Sequence, residues 1–426
     1  MSKIKQIVKA IKTAAKESGK PAALVSKMDV LSADSELKEW DLRKIGGLDG
    51  VKKKFFPQKH KDLATIHNVK KHNSYVSKLE AQLGNKLELE RQLIAIVDKS
   101  WRPLPKIKNK MPSFKKGKLH REVVAMLNDT HVGLIIDGEE IGGLNNFDFK
   151  QAGRRFAYFV KEVASYKPYC RGEVQKLHLI LNGDLSAGLI HGLTTKGIHL
   201  LVHQQNALLQ ILTHAVAYLL KSYNEIEIHG IGGNHSRLLH KNHGQRVVTE
   251  VYDNYENLVY YALSTAFRNN KNVRFNIPKT PYGFIDLPAG RAMFFHGDHV
   301  FSKCMGGVGN SINVKAFSNA IKSFNAGEMN KGNKPIKLLI GAHVHVYCHF
   351  ITDDGVEVYI APSLCGTDAF AHSLTINNNF AAQAVFESTP EFILGDSRLI
   401  RVTKADTMVE LDEIIPTYNK ELSWKK

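Results

Sequence analysis

Residues 226–237 read Ile226-Glu227-Ile228-His229-Gly230-Ile231-Gly232-Gly233-Asn234-His235-Ser236-Arg237. A largely apolar run of strand length stops at two glycines and then delivers an amide, an imidazole and a guanidinium in quick succession. The same texture recurs on both sides of it. Val123–Leu127 is followed by Asn128-Asp129-Thr130-His131, and Leu177–Leu181 by Asn182-Gly183-Asp184. Met293–Phe295 is followed by His296-Gly297-Asp298-His299, and Ile336–Ile340 by Gly341-Ala342-His343-Val344-His345. Helical patterns lie between several of these runs, at Leu200–Leu220 and Leu258–Phe267. Alternation of buried strands with helices predicts an α/β domain. Val356–Ile360, Ala384–Phe386 and Leu399–Val402 read as further strands of the same domain.

Ligands of open α/β sheets collect at the carboxyl ends of the strands, which is where these polar motifs fall. One D-x-H or Gly-Asp is common by chance; the whole series in order is not. A mixture of carboxylate, imidazole and amide oxygen suits divalent ions such as Mn²⁺, Fe²⁺ or Zn²⁺, and scattered cysteines argue against a structural zinc site. Two histidines one residue apart on an extended segment project from one face, so His343 and His345 can both reach a shared centre.

The order D-x-H, G-D, G-N-H, H, G-x-H-x-H resembles the calcineurin-like metallophosphoesterase superfamily over about residues 121–350. The resemblance implies a four-layer α/β/β/α sandwich with a two-metal site at the strand ends. Carried over by motif, it implies that Asp129, His131 and His345 bind the first metal and that Asp184 bridges both. Asn234, His296 and His343 would complete the second, with His235 off the metals and next to the scissile phosphate. The implied chemistry is in-line attack at phosphorus by a hydroxide bridging two divalent ions, Mn²⁺ favoured and Fe²⁺, Zn²⁺ or Mg²⁺ as alternatives. There are two departures. Ala342 stands where glycine usually precedes the first histidine of the last motif. Ser236 stands where many members carry an acidic residue, which leaves Arg237 as a candidate phosphate contact. His191 is a second candidate contact, with a surface loop histidine as the competing reading. Asp298 and His299 read either as orienting partners of His296 or as a turn. The Gly-Asn-His-x-Arg and His-Gly-Asp pairing looks like nuclease-like members from bacteriophages and bacteria.

The 426 residues carry a formal charge of +17 and are 43% hydrophobic, which excludes wholesale disorder and a small disulfide-dense fold. The first 120 residues hold 28 basic and 12 acidic residues, the remainder 30 and 29, so the excess is almost wholly N-terminal. An anionic partner is expected, with nucleic acid first and DNA favoured over RNA. The competing readings are a merely solvated lysine-rich surface and a membrane-surface helix. Ile4, Ile7, Val8, Ile11, Ala14 and Ala15 recur at helical spacing with lysines between them, predicting a helix that ends near Gly19. Ala22–Met28 and a stretch from Ser35 to Gly46-Gly47 are expected to be further helices, in a helix-turn-helix-like arrangement. Residues 75–98 read as a longer helix, suited to dimerisation or to one side of a bundle. The expected organisation is therefore a basic helical region at 1–100, a basic Pro-containing linker at 101–118 and the metallophosphoesterase domain at 119–426. No apolar run approaches the roughly 20 residues of a membrane span, and the first residues lack the apolar core of a secretory signal. With no C-x-x-C pair, a cytoplasmic location is expected, in the host if the chain is phage-encoded.

Overall fold

In the computed structural model, the chain forms two compact units, Met1–Leu93 and Ile94–Lys426. The residues described are 3–19, 22, 25–34, 37, 47–55 and 77 of the first, and 120–166, 174–189, 199–237, 252–306, 312–373 and 380–415 of the second. The 75–98 helix (Ser77 apart), the 101–118 linker, His191 and the helix expected from Ser35 to Gly46 (Leu37 apart) fall outside them.

In the first unit, α1 (Lys3–Ser18) buries Ile7, Ala10, Ile11 and Ala14 on one face and exposes Lys5, Lys9, Lys12 and Lys16 on the other. The second helix, α2 (Lys27–Ser32), starts later than its apolar spacing suggests. Ser26 and Asp29 form a reciprocal capping box, each side chain accepting the other's backbone N–H at 3.1 and 2.7 Å, and that cap fixes the start. A third described helix, α3, spans Gly47–Phe55. Its Lys52 is buried and donates from Nζ to the Val25 carbonyl at 2.6 Å; burial lowers its pKa.

The second unit follows the order β1 (Arg121–Leu127), α4 (Phe149–Tyr166), β2 (Val174–Asn182), α5 (Leu201–Leu219), β3 (Glu225–Ile231), α6 (Tyr255–Ala266), β4 (Val273–Asn276). Then come β5 (Tyr282–Leu287), β6 (Gly290–Phe295), α7 (Ser302–Met305), α8 (Val314–Asn330), β7 (Ile336–Gly341), β8 (Cys348–Ile351) and β9 (Glu357–Ile360). The last elements are α9 (Ala369–Ser373), β10 (Ala382–Ser388) and β11 (Ser397–Arg401). One sheet has the order β11-β10-β1-β2-β3-β4, with β1 to β4 parallel; the other is β5-β6-β7-β9-β8, with β6, β7 and β9 parallel.

Alternation along the strands builds the layers. Val123, Ala125 and Leu127 face a core shared with α4, α5 and α6, whereas Val124 and Met126 meet Phe294, Leu338, Ile340 and Tyr359 of the second sheet. Phe317 and Ile321 of α8 pack on the far face, against Phe295, Leu339 and Val358. The result is helix, sheet, sheet, helix. Both faces of β1 and β7 are covered, which is why they read as unbroken apolar runs. No helix among the described residues is long and apolar enough to cross a membrane.

Candidate metal centre

All seven expected ligands lie where strands of the two sheets end, and each of them contacts at least one other. His296 Nε2 lies 3.0 Å from Asp184 Oδ2 and 3.2 Å from Asn234 Oδ1. His131 Nε2 lies 3.2 Å from His345 Nε2, which is 3.6 Å from Asp129 Oδ1. The His343 ring stands edge-on to His296 with centroids 5.0 Å apart, and its backbone N–H donates to Asp129 Oδ2 at 3.0 Å. Three triads bring one donor atom from each member within 4.8 Å: Asp184, His296 and His343; His131, Asp184 and His235; and His131, His345 and Cys365.

The backbone is bent to achieve this. Six non-glycine residues among those described have φ in the left-handed region, and five are expected ligands: Asp129 (47°), His131 (44°), Asp184 (51°), His343 (75°) and His345 (59°). Such conformations disfavour L-residues and persist where the surroundings over-determine them, commonly at functional sites. Here the surroundings are backbone hydrogen bonds between motifs: Asp129 N–H donates to Gly183 O, His131 N–H to Asp184 O and Leu364 N–H to Asp129 O. Gly233 is required by close approach, since a Cβ there would stand 2.0 Å from Asp184 Oδ1.

The charge balance is that of a cation site. Burial alone would raise Asp129, but His345 and His296 outweigh it and hold the carboxyl at about 2. Burial likewise opposes the low pKa of Asp184, which His296 and His235 drive well below the carboxylate range. Burial would lower His296, yet Asp184 and Asp129 push it up to about 9. His131 is pushed well below the imidazole range by burial and by His235, and His343 falls to about 3 through burial and His296. A proton therefore sits on His296 beside Asp184, in a place where a divalent ion would satisfy the same carboxylate and two imidazoles. The donor set, two imidazoles around each of two centres with Asp184 between them, Asp129 at one and the Asn234 amide oxygen at the other, fits two such ions.

His235 is anchored twice. Its backbone N–H donates to Asp184 Oδ1 at 2.8 Å, and its Nδ1 lies 3.0 Å from the Ala187 carbonyl, which fixes a proton on Nδ1 and turns Nε2 towards the centre, 3.9 Å from Asp184 Oδ2. Arg237 is ion-paired with Asp298. His296 Nδ1 lies 2.9 Å from the Asn182 carbonyl, which orients the ring in the place expected for Asp298, while Asp298 pairs with Arg237. His191 lies outside the described residues.

Sequence reasoning missed two residues. Cys365 is fully buried beside His131 and His345, and burial pushes its thiol pKa up. Its loop is gripped by Arg155, whose Nη1 donates to the carbonyls of Leu364 and Cys365 at 3.1 and 2.7 Å. Glu256, also fully buried, accepts hydrogen bonds from both the Asp184 and the His235 loops. Burial, with Asp184 nearby, raises its pKa to about 7. Neither sits in a recognisable motif.

His178, Glu227 and His229 form another group of donors, between the sheets. They make a closed ladder. His178 Nε2 meets Glu122 Oε2 at 2.7 Å and its Nδ1 meets His229 Nε2 at 2.9 Å. Asn276 Nδ2 donates to the Phe284 carbonyl and meets His229 Nδ1 at 3.1 Å, and Lys176 pairs with Glu227. With every ring nitrogen engaged and an ammonium on the carboxylate, this is a polar lock across β1 to β4, not a cation site.

No family model matches the chain, and no curated protein does. Among solved structures it is similar to a dimetal phosphatase from Danio rerio, at 10% identity over 66% of this chain and 98% of that one, with a TM-score of 0.34. It is also similar to a predicted phosphoesterase from Streptococcus pneumoniae (9% identity, 66% and 97%, TM-score 0.25). A 5′-nucleotidase from Candida albicans gives 12% identity over 67% of this chain and 48% of that one, with a TM-score of 0.28. In the order of its strand-end motifs and in its helix–sheet–sheet–helix layering, the chain resembles the calcineurin-like metallophosphoesterases.

Proposed function

We propose that this protein is a two-metal-dependent phosphodiesterase that hydrolyses nucleic acid, with DNA favoured over RNA and Mn²⁺ the favoured ion. The observation that carries the reading is the convergence of Asp129, His131, Asp184, His296 and His345 from four strand ends into pairs 3.0–3.6 Å apart, with four of the five in left-handed backbone. In this reading Asp129, His131 and His345 hold one ion, Asn234, His296 and His343 the other, and Asp184 faces both. Two divalent cations held there supply charge neutralisation for phosphoryl oxygens and acidify a water for in-line attack.

The remaining work falls to side chains of this chain. His235 keeps its Nδ1 proton on the Ala187 carbonyl, so Nε2 takes up and hands on a proton at the substrate side and supports the charge that develops on phosphoryl or leaving oxygens. The buried carboxylates and imidazoles exclude bulk water, which strengthens each of these interactions.

The charge of the N-terminal third supports nucleic acid as substrate. Lys5, Lys9, Lys12 and Lys16 line the exposed face of α1 while its apolar face is packed, so the lysines are available to phosphates. A small phosphoester is the alternative substrate. Purified protein incubated with Mn²⁺ and labelled single- or double-stranded DNA, beside bis-p-nitrophenyl phosphate, separates them. Cleavage of both is expected; cleavage of the chromogenic ester with DNA untouched overturns the nuclease reading.

A further inference from the structure

Ser236 stands where an acidic residue is frequent in the resembled motif, so the residue next to His235 brings no carboxylate. The structure brings one from elsewhere. Ser236 is fully buried, and its Oγ donates to Glu256 Oε1 at 3.0 Å. Glu256 lies in the first turn of α6, and its carboxylate collects three more donors. Oε1 accepts from Leu185 N–H at 2.6 Å and from Ser186 N–H at 3.3 Å; Oε2 accepts from Gly233 N–H at 3.0 Å. Leu185 and Ser186 directly follow Asp184. Gly233 directly precedes Asn234 and His235. One carboxylate thus joins the loop of the shared acidic ligand to the loop of the amide ligand and the off-metal histidine.

Helix capping does not account for this side chain. Asn254 already caps α6, its Oδ1 accepting Glu256 N–H at 2.9 Å, and its Nδ2 holds the Gly233 carbonyl at 2.7 Å. The carboxyl reaches past the cap into the space between the two loops. The ionised form of Glu256 suits that space, because both oxygens then only accept and all four groups facing them donate.

We propose that Glu256 is a positioning residue, which sets the separation between Asp184 and the Asn234-His235 pair and supplies, through Ser236, the carboxylate that the third motif lacks. The proposal rests on the reading of this site as a hydrolytic metal centre. Glu256→Gln tests it with little change of shape, because an amide turns an NH₂ towards backbone donors at one of the two loops.

Three measurements on the full chain decide it: amide hydrogen exchange, Mn²⁺ titration by calorimetry, and kcat and KM on bis-p-nitrophenyl phosphate. In Glu256→Gln, exchange should rise about tenfold in segments 183–188 and 231–237 and stay at wild-type level in β6, β7 and α8. Mn²⁺ affinity should weaken about tenfold or more, and kcat should drop by a similar factor with KM within about twofold. Ser236→Asp added to Glu256→Gln should recover part of both losses. Wild-type exchange in the two segments, or a rise spread evenly over the second unit, overturns the proposal. A wild-type protein that hydrolyses no phosphoester overturns the reading of the site instead, and the exchange pattern still decides the role of Glu256.

Discussion

His296 shows how single residues tune the centre. It is fully buried, yet Asp184 and Asp129 raise its pKa to about 9, and its Nε2 donates towards Asp184 Oδ2 at 3.0 Å with Asn234 Oδ1 at 3.2 Å. At neutral pH the metal-free protein therefore keeps a proton that an ion must displace. The direction follows: Asp129 and Asp184 are already ionised, so binding releases the His296 proton, and apparent affinity rises with pH up to about 9. Asp129 likewise raises the pKa of His345, so calorimetric Mn²⁺ titration in buffers of different ionisation enthalpy should find at least one proton released per chain at pH 7. Zero release would contradict the protonated His296. At the same scale, His235→Ala should cut turnover on the small ester by about a hundredfold or more while metal content, measured by elemental analysis, stays at wild-type level.

At the scale of elements, the site is a set of strand ends held in register by loops. Arg155, fully buried on α4, donates to both oxygens of Asp406 at 2.9 and 2.7 Å and to the Leu364 and Cys365 carbonyls. Leu364 in turn donates its N–H to Asp129 O. Arg155→Met leaves these acceptors without their donor, and Asp406 is partly exposed, so a loss of about 2–3 kcal/mol is expected in urea unfolding. A change below about 0.5 kcal/mol would show the contacts to be incidental. Strands buried on both faces were legible as apolar runs, and the seven candidate ligands stood out because each follows such a run within a few residues. The hairpin partner β5 and the edge strand β8 were not: β8 alternates half-exposed with exposed residues over four positions. Glu256, Arg155 and Cys365 were invisible for another reason. Their roles come from tertiary hydrogen bonds to distant loops, and no local spacing encodes such a contact. The start of α2 was misplaced because apolar spacing was weighed above the Ser26 cap.

For the whole molecule, the formal charge of +17 divides into a basic first third and a nearly neutral layered unit. If the exposed α1 lysines meet phosphates, replacing Lys5, Lys9, Lys12 and Lys16 with glutamine should lower the slope of log DNA affinity against log salt by up to about 3–4, at about 0.9 per phosphate contact. Hydrolysis of bis-p-nitrophenyl phosphate, which needs no polyanion docking, should be unchanged by the same substitutions. An unaltered salt slope would remove the case for α1 as a nucleic-acid contact.

If these strand ends form a divalent-metal phosphodiesterase centre, the rate of bis-p-nitrophenyl phosphate hydrolysis by the full chain with and without Mn²⁺, beside Asp184→Ala, will show it. The account predicts hydrolysis that needs Mn²⁺, stops on chelation, returns when the ion is restored and is absent from the variant. Hydrolysis that survives chelation or the loss of Asp184, or none from the metal-loaded wild type, would contradict it.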